Sequence, residues 1–153
     1  MSIALIFVAA ALGAHANCPQ GRAGPVIMPS EFVANVQKYF AGQGLVTVRF
    51  RVGAVGSETV GDAATGTESQ WIILFGAGDK HKSFDVAILP EAQAALKRLG
   101  ITDFAKHFSG KVIEVRGTVS AVPTILYEPE FEFTSYYLNV RRLEQFRAVE
   151  VAK

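Results

Sequence analysis

Two stretches of the chain alternate apolar and polar residues with a period of two, and this restricts the fold more than any other feature. In "LVTVRFRV", Val46, Val48, Phe50 and Val52 alternate with Thr47, Arg49 and Arg51. In "GKVIEVRGTV", Ile113, Val115, Gly117 and Val119 share one side, and Val112, Glu114, Arg116 and Thr118 share the other. Successive side chains of a strand point to opposite faces, so each stretch predicts a strand with one buried and one wet face. Every buried member contributes roughly 1.5–3 kcal/mol, and a one-residue slip would expose all of them together. Gly117, with no side chain to pack, predicts a sharp bend within its strand.

The remaining segments are read around these two. "WIILF", the turn "GAGDKHK" and "SFDVAIL" predict a hairpin, with Phe84, Val86 and Ile88 on one face. Pro90 opens a helix with Glu91 in its first turn, Lys97 and Arg98 in its last, and Gly100 as its stop. Thr102 is expected to cap a second short helix, "DFAKHF", closed by Gly110. Ser30 is expected to cap an N-terminal helix bearing Phe32, Val33, Val36, Tyr39 and Phe40, stopped by Gly42 and Gly44. "TILYEPEFEFTSYYLNVRRLEQF" keeps the period of two and predicts a long two-stranded extension whose second arm is the last strand. Residues 53–70, "GAVGSETVGDAATGTESQ", lack apolar periodicity and predict a long loop; residues 120–135 supply a second one.

The N-terminal segment reads differently. An apolar run from Ile3 to Leu12 precedes Ala14-His15-Ala16, the small-x-small pattern of a signal-peptide cleavage site, although no Lys or Arg precedes the run. The run is shorter than the about 20 residues a membrane-spanning helix needs. The division expected is a signal peptide over 1–16, a linker over 17–29 and a domain over 30–153, exported to the periplasm or secreted; a buried N-terminal strand is the alternative. Cys18 is the only cysteine, so no internal disulfide forms, and Asn17 suits lipid attachment at Cys18 poorly. With 153 residues, half of them apolar, the chain has enough for one packed core.

Strand, long loop, strand, tight turn, strand, helix, strand, long loop, strand is the order implied. "LVTVRFRV", "SFDVAILPEAQAALKRLGITDFAKHFSGKVIEVRGTV" and "YLNVRRLEQF" together resemble OB-fold domains of the nucleic-acid-binding superfamily, in particular exported bacterial versions. The likeness lies in an F-x-V-x-I strand, a helix, a G-K-x-I-x-V-x-G-x-V strand and a closing D/E-Q-I/F motif. It implies a mainly β, five-stranded Greek-key barrel, with a helix between strands three and four and a short N-terminal helix in addition. It also implies a ligand across strands two and three, framed by the two long loops. Fold alone does not name that ligand.

Charge narrows the choice. Fifteen basic and fourteen acidic residues give a net charge of +1, so no long-range field draws in a polyanion. Both expected loops are acidic, with Glu58, Asp62 and Glu68 in one, Glu128, Glu130 and Glu132 in the other, and no Lys or Arg in either. Single-stranded nucleic acid needs cations for phosphate and rings for bases. The candidate ligand-binding residues are Arg49, Arg51, Trp71, Lys80, His81, Lys82, Arg116, Tyr127, Phe131, Tyr137 and Arg141. The histidines form no metal-binding spacing and no nucleophile elbow is present, so no cofactor, metal or catalytic residue is assigned. The reading is a monomeric, non-catalytic binding module for a protein, peptide or other non-polyanionic ligand. A single-stranded nucleic-acid binder is the alternative, and an OB-fold hydrolase the third possibility.

Overall fold

The computed structural model describes residues 25–62, 65–77, 84–127 and 130–148. The expected signal peptide, Cys18 and the Lys80-His81-Lys82 turn lie outside the described residues. The chain is mainly β. Strands β1 (Val26–Ile27), β2 (Val46–Asp62), β3 (Thr67–Gly76), β4 (Asp85–Ile88), β5 (Val112–Tyr127), β6 (Glu130–Val140) and β7 (Phe146–Ala148) form one mixed sheet. Helices α1 (Pro29–Ala34) and α2 (Val36–Gly42) precede β2, α3 (Pro90–Arg98) and α4 (Phe104–Phe108) lie between β4 and β5, and a 3₁₀ turn spans Leu143–Gln145.

The sheet order is β1-β2-β3-β4-β6-β5-β7, and an additional β2–β5 pairing closes a circuit of five strands. Within it β4 and β6 run parallel, while the other neighbours are antiparallel. Short strands β1 and β7 are additions to the five expected. They exist because Val26–Ile27 pairs alongside Thr47 and Val48, and Phe146–Ala148 alongside Ile113–Val115. Residues 26 and 27 thus belong to the sheet, and Ile27 to its core, although the composition of 17–29 reads as linker.

The core is built from the alternation. Val46, Val48, Phe50 and Val52 of β2 pack with Ile113, Val115 and Val119 of β5, Val86 and Ile88 of β4, and Leu138 and Val140 of β6. Phe84 is its centre, with the Phe32 and Phe50 rings each 4.8 Å away and edge-on. Pro90 is in the first turn of α3, Gly100 follows that helix at φ +82°, and Ala92 and Leu96 face the core.

Several local expectations are corrected. Residues 53–70 are no loop: β2 runs 17 residues and pairs with β3 to its end, through a bulge between Val52 and Ala54. The β2 side of the arm carries few large apolar residues, so its strand is set by the backbone ladder more than by an apolar alternation. Residues 120–135 likewise lie almost wholly in the β5–β6 ladder. Pro29 starts α1 after Met28, with Ser30 inside it, and the N-terminal helix breaks in two at Asn35. Asp103, whose carboxylate accepts from the Lys106 N–H, caps α4 in place of Thr102.

Gly117 marks the place where β5 changes partners: it is the last residue opposite β2, across from Val46, and Thr118 is the first opposite β6. A Cβ there would collide with the Asn139 carbonyl oxygen. The glycine is required by backbone approach at the crossover.

Candidate functional site

On the side of the sheet away from the core, registers place one row of residues across four strands. Gly56 of β2 is opposite Ile73 of β3, which is opposite Ala87 of β4, which is opposite Asn139 of β6. Neighbouring strands lie about 4.8 Å apart, so β2 and β6 are separated by about 14 Å. Two long side chains bridge that distance. The Tyr137 hydroxyl of β6 donates to Glu58 Oε2 of β2 at 2.7 Å. The bridge covers a second apolar cluster of Ile73, Ala87, Leu89 and Tyr137, with Trp71, Phe75 and Val122 around it. Both faces of β4 are therefore buried, where the sequence suggested one.

Tyr137 is 4 % exposed, and burial first, then the hydrogen bond to Glu58, raises its phenol pKa above the ordinary value. The phenol thus stays a donor throughout the neutral range. Trp71, directly opposite Glu58 in the β2–β3 ladder, meets the Tyr137 ring edge-to-face at 5.9 Å and 89°. Beside Trp71 opens a groove of about 370 Å³ lined by Val60, Leu89 and Pro90, with Glu91 and Arg141 at its rim. Gln93 fixes its wall, since its amide donates to the Gln70 carbonyl at 2.8 Å and to the Ile88 carbonyl at 2.7 Å, tying α3 to β3. The groove combines this apolar lining with a comparable polar share from Ser69, Glu91 and Arg141.

The candidate residues divide into separate places. Trp71, Tyr137 and Arg141 come together here, and Arg141 pairs with Glu91 at 3.2 Å with both side chains exposed. Arg49, Arg51 and Arg116 lie on the β2–β5 pairing, opposite Glu114, Val112 and Thr47. In the circuit β4 stands between β3 and β6, and the β2–β5 pairing closes it on the far side. Arg49 donates from Nε at 3.0 Å and Nη2 at 2.6 Å to Glu114, which is 8 % exposed although its parity reads as wet. Arg51 donates to the Gly110 carbonyl at 2.7 Å. Arg116 Nε is buried with no hydrogen-bond partner among the described residues. Phe131 is opposite Leu126, and Tyr127 opposite Glu130, at the end of the β5–β6 arm; the side chains of Tyr127 and Phe131 lie outside the described residues.

Sequence reasoning missed Glu58, Val60 and Gln93. Glu58 and Val60 were assigned to a loop, and only a strand through 54–62 puts Glu58 on the face of Trp71. Gln93, on the inner side of α3, looks like any polar helix residue until its two carbonyl partners are known.

Among the described residues, no group of three or more His, Cys, Asp or Glu side chains is arranged to hold a metal ion. No described helix is long and apolar enough to cross a membrane. Neither the models of known families nor the curated proteins contain a match to this chain.

Proposed function

We propose that the chain is an exported, non-catalytic binding module of the OB type that engages a protein or peptide segment on the outer face of β3, β4 and β6. The OB reading is supported by the five-strand circuit, its parallel β4–β6 pair and the helix between the third and fourth circuit strands. Export rests on the apolar run Ile3–Leu12 and the Ala14-His15-Ala16 pattern. Mature protein beginning with Asn17 is the expected product, and a folded product that retains Met1 removes this part of the reading.

One observation carries the choice of ligand: among the described residues, Arg49, Arg51 and Arg116 lie on the β2–β5 pairing, whereas Trp71 and Tyr137 meet over β3, β4 and β6. A strand of nucleic acid needs phosphate-binding cations within one nucleotide's reach of its stacking rings. Trp71 and Tyr137 have Glu58 and Glu91 as neighbours, and Arg141, the arginine that lines the same groove, is paired with Glu91. Arg49, Arg51 and Arg116 are on the β2–β5 pairing, and the first two already have partners. A labelled oligonucleotide titrated at about 50 mM and about 200 mM salt tests this, because each phosphate contact adds to the salt slope. Weak or absent binding at both concentrations is expected. Tight binding with a steep slope would falsify the proposal.

A further inference from the structure

The β2–β3 arm has one strand edge that no other described strand uses. Gly76 N donates to the Phe84 carbonyl at 2.8 Å, so the Gly76 backbone turns toward β4. Alternation then turns Phe75, Ile73, Trp71 and Ser69 toward β2, where Ala54, Gly56, Glu58 and Val60 are their partners. The N–H and C=O groups of Val55, Ser57, Thr59 and Gly61 consequently face the opposite edge. Among the described residues no strand takes them up: β5 pairs with β2 only from Val46 to Arg51, and β1 only at Thr47 and Val48. Ser57, Thr59 and Gly61 are exposed.

Proteins normally protect such edges with Lys, Pro or a covering element. The β5 arm carries Pro123, the β6 arm carries Glu130 and Glu132, and the Gln70 carbonyl on the free edge of β3 is capped by Gln93. Residues 54–61 have neither Lys nor Pro, and no described strand covers the edge. The described residues of the arm, 53–62 and 65–77, include Glu58, Asp62 and Glu68 and no Lys or Arg.

We infer that this edge accepts an extended, Lys- or Arg-bearing peptide segment of a partner as an added strand, antiparallel or parallel to residues 54–61. The inference rests on the peptide-binding reading and specifies where and how the peptide lies. A second copy of the chain fits less well, because it would set two acidic arms side by side.

The probe is a dye-labelled, end-blocked peptide alternating Lys and Val, followed by fluorescence anisotropy. Two further peptides are methylated on one or the other alternate set of backbone amides. One of the two is expected to keep its affinity and the other to lose about tenfold or more, because only one set of amides faces the protein. Ser57→Pro and Thr59→Pro, which delete outward N–H groups only, are expected to weaken the unmethylated peptide similarly, with thermal unfolding measured alongside. The methylated peptides keep the test valid if a proline variant fails to fold. Absence of binding, or equal binding by both methylated peptides, overturns the inference. If the proline variants bind normally while Trp71→Ala does not, the edge is wrong and the outer-face reading stands. A concentration-dependent dimer that Ser57→Pro abolishes, without peptide binding, assigns the edge to a second copy and also overturns it.

Discussion

Gly117 and the Tyr137–Glu58 pair show how single residues determine this molecule. A methyl group on Gly117 meets the Asn139 carbonyl oxygen, a backbone atom of β6 that also accepts from the Gln145 amide, so it does not yield cheaply. Gly117→Ala is expected to cost about 2–3 kcal/mol, read as a drop in the denaturation midpoint. Tyr137→Phe removes a hydrogen bond to a carboxylate and is expected to cost about 1–2 kcal/mol at neutral pH. Its effect depends on pH with a definite sign. Burial and Glu58 raise the phenol above its ordinary pKa of 10.0, so the folded chain holds a proton that the unfolded chain releases. The contribution is complete below about pH 10 and falls away as pH rises beyond it. Unfolding monitored across that alkaline range should show a decline in the native protein that is shallower in Tyr137→Phe. An equal slope in both proteins would refute the role given to Tyr137.

Among the elements, the short 3₁₀ turn before β7 does more than its size suggests. Gln145 Oε1 accepts from the Arg141 and Arg142 N–H groups at 2.8 and 2.9 Å. Its amide donates to the Arg116 carbonyl at 2.7 Å and the Asn139 carbonyl at 3.1 Å. It thereby joins β5, β6 and the turn at the Gly117 crossover. Gln145→Ala is expected to destabilise by about 2–3 kcal/mol, and Gln145→Glu by at least as much, because a carboxylate cannot donate to the two carbonyls. Equilibrium denaturation of both variants checks this. The β2 and β5 alternation, the Pro90–Gly100 helix and the two-stranded β5–β6 extension were legible, because each carries a local pattern that its own burial or capping dictates; the "LEQF" segment, expected to end the last strand, instead forms the 3₁₀ turn and opens β7. The β2–β3 arm was not legible. Ala54 to Asp62 pair through backbone groups that every residue has, so Gly, Ser and Thr there look like a loop. The site shared this fate: Trp71, Tyr137 and Arg141 were recognisable by residue type, but their meeting depends on Glu58 and Gln93, whose roles are set by partners distant in sequence.

At the scale of the whole molecule, the five-strand circuit separates two chemistries that a nucleic-acid groove would combine. Arg49 and Arg51 are engaged along the β2–β5 pairing, while the rings and carboxylates gather over β3, β4 and β6. Replacing Arg49 should therefore harm stability before it harms binding, since it leaves Glu114, at 8 % exposure, without its partner. Arg49→Ala is expected to cost about 1–3 kcal/mol in thermal or chemical unfolding, whereas Arg141→Ala, which breaks an exposed pair, should cost less than about 1 kcal/mol. The central claim concerns which face binds. Trp71 is the only tryptophan and lines the groove on that face, so its fluorescence reports occupancy without a label. The most direct measurement is Trp71 emission during parallel titrations with a Lys-bearing extended peptide and with a single-stranded oligonucleotide at moderate salt. A saturable shift with the peptide and none with the oligonucleotide is predicted; a saturable shift with the oligonucleotide alone would contradict the account.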